Sequence, residues 1–402
     1  MLLLVFNAGS SSLKFDLLEA ADNAPPRRVA AGAFVDAADG SGHFELRTTA
    51  APGSSGARVG SLAEAAEFAL QWLANPAIHG RSLLAGVAAT VHRIVHGGER
   101  FRGTTRLGGP EFAALAELSP LAPLHNPPAL SVIDTVRRRL DPEVPIVGVF
   151  DTAYYADLPE AAHRYAVPSR WRTEFGVRRY GFHGLAHRYL CQRACAHLKA
   201  SPAMARLVSL QLGRGCSVTA TAGGRAQATS MGFTPLEGLV MGTRSGDIDA
   251  GAILHVMERS GMSAAEMNRE LNQKSGLLGL SGRSADMREL LDREQRGDAD
   301  AALAVEIFCR RARHYLAAFI AELGGVDAIV FGGGIGENSA EIRRRIVGGL
   351  KWAGIELDLD ANSACTGAES NIAAPQSRSA ICVVPVDEGS VIASEAVALL
   401  AR

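Results

Sequence analysis

The sequence predicts an α/β protein on an internally duplicated plan, with mixed sheets flanked by helices. Three observations carry this. Residues 2–18 (LLLVFNAGSSSLKFDLL) read as strand, polar glycine-containing turn, strand. The arrangement returns at 206–222, where RLVSLQL, the turn GRGCS and VTATA follow one another. Each hairpin is followed by short apolar runs of strand length interleaved with segments of helical spacing, the pattern of an α/β domain with a mixed sheet.

In order, residues 2–6 form an apolar run and 15–18 resume it. Between them stand Asn7, Gly9, Ser10, Ser11, Ser12 and Lys14. A glycine without Cβ, successive N–H groups, hydroxyls and a lysine make a clamp for phosphate. A hairpin with a polar tip is the plainer reading. No G-x-x-x-x-G-K-[ST] is present, so this is not a Walker loop. Residues 22–60 fit edge hairpins with strands at 30–35 and 43–48. Residues 61–74 have helical spacing behind a capping serine, and 86–95 (GVAATVHRIV) read as a buried strand. A short helix at 111–118 precedes APLHNPP at 122–128, expected to be irregular because of its prolines. Residues 129–140 form a helix ending in arginines, which suit a helix C-terminus. The strand at 145–150 then delivers Asp151.

In the second half, the strands 206–212 and 218–222 flank the turn Gly213-Arg214-Gly215-Cys216-Ser217. The apolar run 327–331 feeds a glycine-rich loop at 332–338 (GGGIGEN), followed by a helix at 339–350, a strand at 381–386 and a closing helix at 390–401. That helix is expected to return to the first domain. The domains are then 1–150 with 388–402, and 151–387.

The 402 residues have room for two or three cores. A net charge of −1 gives no sign of a nucleic-acid or membrane partner. No apolar stretch reaches the ~20 residues that span a bilayer, and the N-terminal run is too short for a signal peptide. Six cysteines without paired metal or redox spacing suggest reduced thiols and a cytoplasmic location.

Phosphoryl transfer needs a divalent cation, positive charge around the moving group and in-line geometry. Side chains of the right kind stand at loop positions: Asn7, Ser10, Ser12, Lys14, Arg93, Asp151, His183, Arg244 and Glu388. Each has a structural alternative. His125 and His187 read equally as satisfied structural histidines, Asp247 and Asp249 as helix caps, and Arg244 as a surface arginine. His92 and His96 lack an H-E-x-x-H context, and the following Gly97-Gly98 argues against a zinc-binding helix.

Taken together, NAGSSSLKF, RIVHGGERF, APLHNPP, FDTAYY, RRYGFHG, SMGFTPLEGLVMGTRSGDID, SGRSADMR, GGIGENS and VDEGSVIA resemble the acetate kinase family in order and spacing. The match runs over essentially the whole chain. The resemblance implies duplicated ribonuclease H-like domains of the actin-like ATPase superfamily, with the active site in an interdomain cleft. It implies reversible in-line transfer from ATP to acetate, giving acetyl phosphate and ADP, with Mg2+ (or Mn2+) and a homodimer. Asn7 and Glu388 match metal-site residues. Ser10, Ser12 and Lys14 match phosphate-facing positions. Arg93 and Arg244 match groups that flank the carboxylate and the moving phosphoryl, His183 a donor to an equatorial oxygen, and Asp151 a residue that orients an arginine or acts through the metal. Val95, Leu124, Phe182 and Pro235 match the acyl pocket. Gln211, Leu212, Gly213, Arg214 and Gly215 match the second phosphate clamp. Asp286, Met287 and Arg288 match the segment over ribose and adenine, and Gly334, Ile335, Gly336, Glu337 and Asn338 the loop beside the adenosine.

The chain departs from the family pattern where Gln211 and Arg214 stand for His and Asn. It also carries Leu185 and Ala186 for Thr and Ser, Ala228 for Asp, Ala129 for Asn, and Gly389 for a second Glu. Three other outcomes stay open: a longer acid such as propionate or butyrate, pyrophosphate as donor if Arg214 blocks the nucleotide, and a regulatory paralogue with weakened turnover.

Overall fold

The computed structural model describes residues 1–9, 12–20, 26–35, 43–48, 52–55 and 59–401. The chain divides into two compact units, Met1–Ala156 with Asp387–Arg402, and Asp157–Val386. Among the described residues no helix is long and apolar enough to cross a membrane.

The first unit holds one mixed sheet. Its strands are β1 (Leu2–Ala8), β2 (Ser12–Glu19), β3 (Arg27–Val35), β4 (His43–Thr48), β5 (Pro52–Ser55), β6 (Val87–Ile94), β7 (Thr105–Arg106) and β8 (Ile146–Phe150). They lie in the order β5-β4-β3-β2-β1-β6-β8-β7. β1, β2 and β3 are antiparallel, whereas β6 and β8 continue the sheet in parallel. Side chains alternate across a strand. Leu4, Phe6 and Ala8 of β1, with Leu13, Phe15 and Leu17 of β2, therefore face the helices Leu62–Ala74 and Asn126–Arg139 and form the main core. Asn7 falls on the opposite face, where the register sets it across from Lys14 and beside Arg93. The helix Glu388–Leu400 packs against β1, β6 and β8, burying Val391, Ile392, Ala393 and Ala396.

His92 shares the core face with Phe6, its ring stacked at 5.3 Å between centroids. Burial pushes its pKa down from 6.5 to about 3. Between those values the unfolded chain binds the proton and the folded chain does not. Stability present above pH 6.5 is therefore lost as the pH falls toward 3, at about 1.4 kcal/mol per pH unit for this one group. His92→Phe is expected to flatten the decline in urea stability between pH 7 and 5; an unchanged slope would remove His92 from the acid response.

In the second unit the strands are β9 (Arg206–Leu212), β10 (Cys216–Ala222), β11 (Arg225–Thr229), β12 (Ala328–Gly332), β13 (Ser370–Asn371) and β14 (Ala380–Val383). Their order is β11-β10-β9-β12-β14-β13. A meander leads into parallel β12 and β14, with β13 antiparallel at the edge. The series β3-β2-β1-β6-β8-β7 has the same order and directions, so the strand plan is duplicated. The helix Gly184–His197 sets Leu190 and Ala194 against Leu207, Ala328 and Val330. The helix Ala299–Glu322 packs on β9 and β10.

The sequence expectation is corrected at two places. Residues 126–128 are helical, because Pro127 and Pro128 stand in the first turn of Asn126–Arg139, where backbone N–H groups have no helical acceptor to lose. The glycine-rich stretch is a short helix, Gly333–Asn338, rather than a loop. Gly333 turns the chain out of β12 at φ 75, and a Cβ there would meet the Leu212 carbonyl at 2.6 Å. The Glu337 carboxylate then accepts from Gly333 N at 2.8 Å and from Val386 N at 3.0 Å, pinning the turn.

Candidate active site

Parallel pairing of β1, β6 and β8 brings their C-terminal ends together, and three polar side chains emerge there. Arg93 donates Nε to Asp151 Oδ1 at 3.0 Å and Nη2 to Oδ2 at 2.6 Å, a two-pronged fork. Its Nη1 donates to Asn7 Oδ1 at 2.9 Å. Asn7 Nδ2 in turn donates to Glu388 Oε2 at 2.8 Å, and that oxygen lies 3.8 Å from Arg93 Nη1. The Asp151 side chain is 1% exposed and that of Arg93 14%. Burial by itself would lower the Arg93 pKa, but the Asp151 and Glu388 carboxylates outweigh it and hold the group well above the ordinary arginine value. These bonds use three of the five guanidinium N–H groups, so the fork is fixed while donors remain for an anion.

Glu388 opens its helix, and the preceding Asp387 caps it by accepting from Ser390 N at 3.2 Å and the Ser390 hydroxyl at 2.7 Å. Lys14 is exposed and Ser12 half-buried. Gly9 N donates to the Ser12 carbonyl at 2.8 Å. Ser10 and Ser11 lie outside the described residues. Of the two residues expected in this unit to line an acyl pocket, Val95 is buried and Leu124 is 44% exposed.

In the second unit His183 stands just before the helix Gly184–His197 with φ 58, left-handed backbone that costs a non-glycine residue about 1–2 kcal/mol. Its Nδ1 is 2.9 Å from Ser217 Oγ. The Nε2–Cε1 edge lies against Gly215, where a Cβ would come within 3.2 Å of both atoms and 3.7 Å of Arg244 Nη1. His183 and Arg244 therefore converge on the turn between β9 and β10. Arg244 Nη1 donates to the Pro235 carbonyl at 3.0 Å. Among the described residues no carboxylate pairs with this guanidinium, and burial lowers its pKa, with Arg214 adding to the effect. Phe182 is buried and Pro235 half-buried.

Gly276 fixes the segment that bears Arg244. At φ 63, a Cβ there would sit 2.2 Å from the Met241 carbonyl and 2.6 Å from that of Arg244. Gly276→Ala is expected to cost about 2–4 kcal/mol and to lower turnover at least tenfold by displacing the arginine. A thermal melt with steady-state kinetics checks this, and an unchanged kcat would mean that the segment tolerates the shift.

Around the turn, Leu212 is buried and Gly213 and Gly215 are half-buried, while Arg214 is exposed. Gln211 keeps its Oε1 buried with no hydrogen-bond donor among the described residues. Gly334 and Asn338 are exposed, with open space where a Gly334 Cβ would stand; Ile335 and Glu337 are half-buried and Gly336 buried. Asp286 caps the helix Met287–Gln295 and pairs with Arg288 at 2.8 Å, whose hydrogen bond helps pull the Asp286 pKa down to about 2. Met287 itself is buried.

Among the described residues no group of three or more His, Cys, Asp or Glu could hold a metal ion. Mg2+ that travels with phosphates needs only one or two protein oxygens, the rest coming from water and phosphate. Glu388 and Asn7 bring oxygens of that kind into one cluster, where Asn7 Nδ2 donates to Glu388 Oε2 at 2.8 Å and Asn7 Oδ1 accepts from Arg93 at 2.9 Å.

Sequence reasoning missed Arg343. This side chain is 0% exposed and donates to Asn362 Oδ1 and to the carbonyls of Gly336, Glu337, Asn362 and Cys365, at 2.8–3.0 Å. It clamps the end of the short helix Gly333–Asn338. In the sequence it is one arginine of three in a row, the look of a solvated helix end.

The acetokinase family pattern matches residues 2–394. The acetate kinase of Phocaeicola vulgatus is 41% identical over the full length of both chains. The crystal structure of Porphyromonas gingivalis acetate kinase superposes with a TM-score of 0.90 at 37% identity, over 99% of each chain. A propionate kinase from Francisella tularensis subsp. tularensis gives 0.90 at 34% identity, over 98% of each. With a duplicated α/β plan and arginine-centred sites at its strand ends, this chain belongs to the acetokinase family.

Proposed function

We propose that this chain catalyses reversible in-line transfer of a phosphoryl group from ATP to acetate, giving acetyl phosphate and ADP. The observation that carries the reading is Arg244, a half-buried guanidinium with no carboxylate partner among the described residues, converging with His183 on a glycine turn. Such a cation asks for an anion, and charge builds on the phosphoryl oxygens in the transition state. Arg244 takes those oxygens and His183 donates to one of them. Arg93, locked by Asp151 and Asn7, receives the acetate carboxylate with its remaining N–H groups. Lys14, Ser12 and Ser10 serve the phosphates in the first unit; Gly213 to Gly215 and Gln211 serve them in the second. Gly334 to Asn338 and Asp286 to Arg288 take the nucleoside. Glu388 and Asn7 would hold Mg2+, or Mn2+, which neutralises phosphate charge when bound.

A coupled assay with ATP, Mg2+ and acetate tests this, with pyrophosphate as the second donor. Acetyl phosphate formed with ATP supports the reading. Activity only with pyrophosphate would move the donor site to Arg214 and its turn; silence with both in a folded protein that binds ADP would favour a regulatory role. The likeness to a propionate kinase favours one second reading, a longer acid. A methylene is worth only about 1–3 kcal/mol of discrimination, so kcat/KM across acetate, propionate and butyrate decides.

A cytoplasmic homodimer belongs to the same reading. All six cysteines are buried, and none forms a disulfide among the described residues. The helix Ala250–Ser260 has no buried residue, and Leu254 and Val256 on it, with Ile248 just before, are 67%, 43% and 48% exposed. A second copy of this chain is the proposed cover. The motif GFTPLEGLVMG, by contrast, is mostly buried or half-buried within its own unit. Light scattering should give twice the 42.3 kDa chain mass, and a monomer mass would refute the dimer.

A further inference from the structure

Behind His183 runs a continuous chain of short hydrogen bonds. His183 Nδ1 lies 2.9 Å from Ser217 Oγ, Ser217 Oγ 2.7 Å from His187 Nε2, and His187 Nδ1 2.7 Å from Ser209 Oγ. His187, Ser209 and Ser217 are each 0% exposed. Burial pushes the His187 pKa well down, with His183 adding to the effect, so this ring is neutral, with one donor and one acceptor nitrogen.

Each serine has a single proton and can accept twice, and if both rings donated to Ser217 its own proton would find no acceptor in the chain, so the arrangements that spend every proton within it run one way or the other. If they run from His183 outward, Nδ1–H of His183 donates to Ser217, Ser217 to His187, and His187 to Ser209. The Ser209 hydroxyl is then left with the Thr219 carbonyl at 3.5 Å and the Cys191 sulfur at 3.9 Å, both long and weak. If they run inward, Ser209 donates to His187 Nδ1, His187 Nε2–H to Ser217, and Ser217 to His183 Nδ1. Every proton then sits in a bond of 2.7–2.9 Å, and a neutral His183 carries its own on Nε2. That is the edge facing Gly215.

We propose that Ser209, His187 and Ser217 are positioning residues that hold the His183 ring and keep its proton on Nε2, aimed at the turn between β9 and β10. This rests on the reading that His183 donates to the moving phosphoryl group. A donor at Nε2 serves that role without the imidazole taking up a second proton. The chain also accounts for a histidine held in left-handed backbone: β9 and β10 supply the two serines, and His187, one helical turn on, joins them.

The test uses full-length protein with 15N-labelled histidine. Two-bond proton–nitrogen spectra at neutral pH are expected to show His183 as the Nε2–H tautomer in the parent chain. Ser217→Ala should give a mixture of tautomers. It should also lower kcat for acetyl phosphate formation about 10–100-fold while KM for ATP moves less than twofold. Ser217→Thr, which keeps the hydroxyl, should restore both readouts, and His187→Phe should reproduce the alanine variant. An Nδ1–H tautomer in the parent chain, or a Ser217→Ala protein with parental kcat and tautomer, would overturn the proposal. If the parent chain makes no acetyl phosphate, the functional reading fails by itself, and the tautomer shift still decides whether the chain controls the ring.

Discussion

Arg244→Ala is expected to lower kcat by about three orders of magnitude while leaving Tm unchanged or slightly raised. The two halves of this result have one cause. In the resting protein the Arg244 guanidinium is half-buried, bonds the Pro235 carbonyl, and has no carboxylate partner among the described residues. Its desolvation is incompletely repaid until an anion arrives. Removing it relieves the folded state of an uncompensated charge at the loss of two neutral acceptor contacts, the Pro235 carbonyl and the Met241 sulfur. In the transition state the same cation meets developing charge on the phosphoryl oxygens, and that stabilisation disappears with the side chain. Arg244→Lys keeps a charge but not the planar fork, so it should recover only part of the rate. A loss of kcat that merely tracked a fall in Tm would make Arg244 a structural residue; an unchanged kcat would remove it from the reaction.

The inner strands and their duplication were legible in the sequence because each is an apolar run bounded by polar or glycine-rich turns, from residues 2–6 to 327–331, whereas the short or polar β5, β7, β11 and β13 carry no such run. The helix Leu62–Ala74 was legible too, with Ser61 accepting from Glu64 N at 3.2 Å as its cap. Of two aspartates read as possible caps, Asp249 caps Ala250–Ser260, whereas Asp247 accepts from Gly238 N and the Tyr315 hydroxyl. Local patterns cannot make that distinction, because it depends on a helix beginning at Ala299. The short helix Gly333–Asn338 was hidden by the poor helix propensity of glycine, which a carboxylate and a buried arginine override here. Asn7 and Glu388, bonded at 2.8 Å, stand 381 positions apart; their motifs named them, but no periodicity joins them. Leu185 and Ala186, which raised doubt as lost hydroxyls beside His183, are buried packing residues, and the hydroxyls near that ring come from the sheet.

Asp151→Ala should behave in the opposite way to Arg244→Ala, losing stability and activity together. Asp151 is 1% exposed and holds both prongs of an arginine that is itself 14% exposed. Without it the Arg93 charge stays buried, with Glu388 at 3.8 Å as the nearest remaining carboxylate in the cluster. Breaking one side of such a pair costs about 3–5 kcal/mol, which urea denaturation would show as a lowered midpoint. The guanidinium also loses the fork that aims its free N–H groups, so acetate should bind worse and turn over more slowly. Removing both charges separates the two effects. Arg93→Met with Asp151→Leu replaces the pair by apolar groups of similar volume, and such replacements are commonly neutral or stabilising. The double variant is therefore expected to regain the parental urea midpoint while remaining inactive. That outcome would assign the Asp151 contribution to satisfying Arg93, and the Arg93 contribution to the substrate. If the double variant were as unstable as Asp151→Ala, other contacts of Asp151 would account for the loss of stability. If it kept its activity, neither side chain would belong to the reaction.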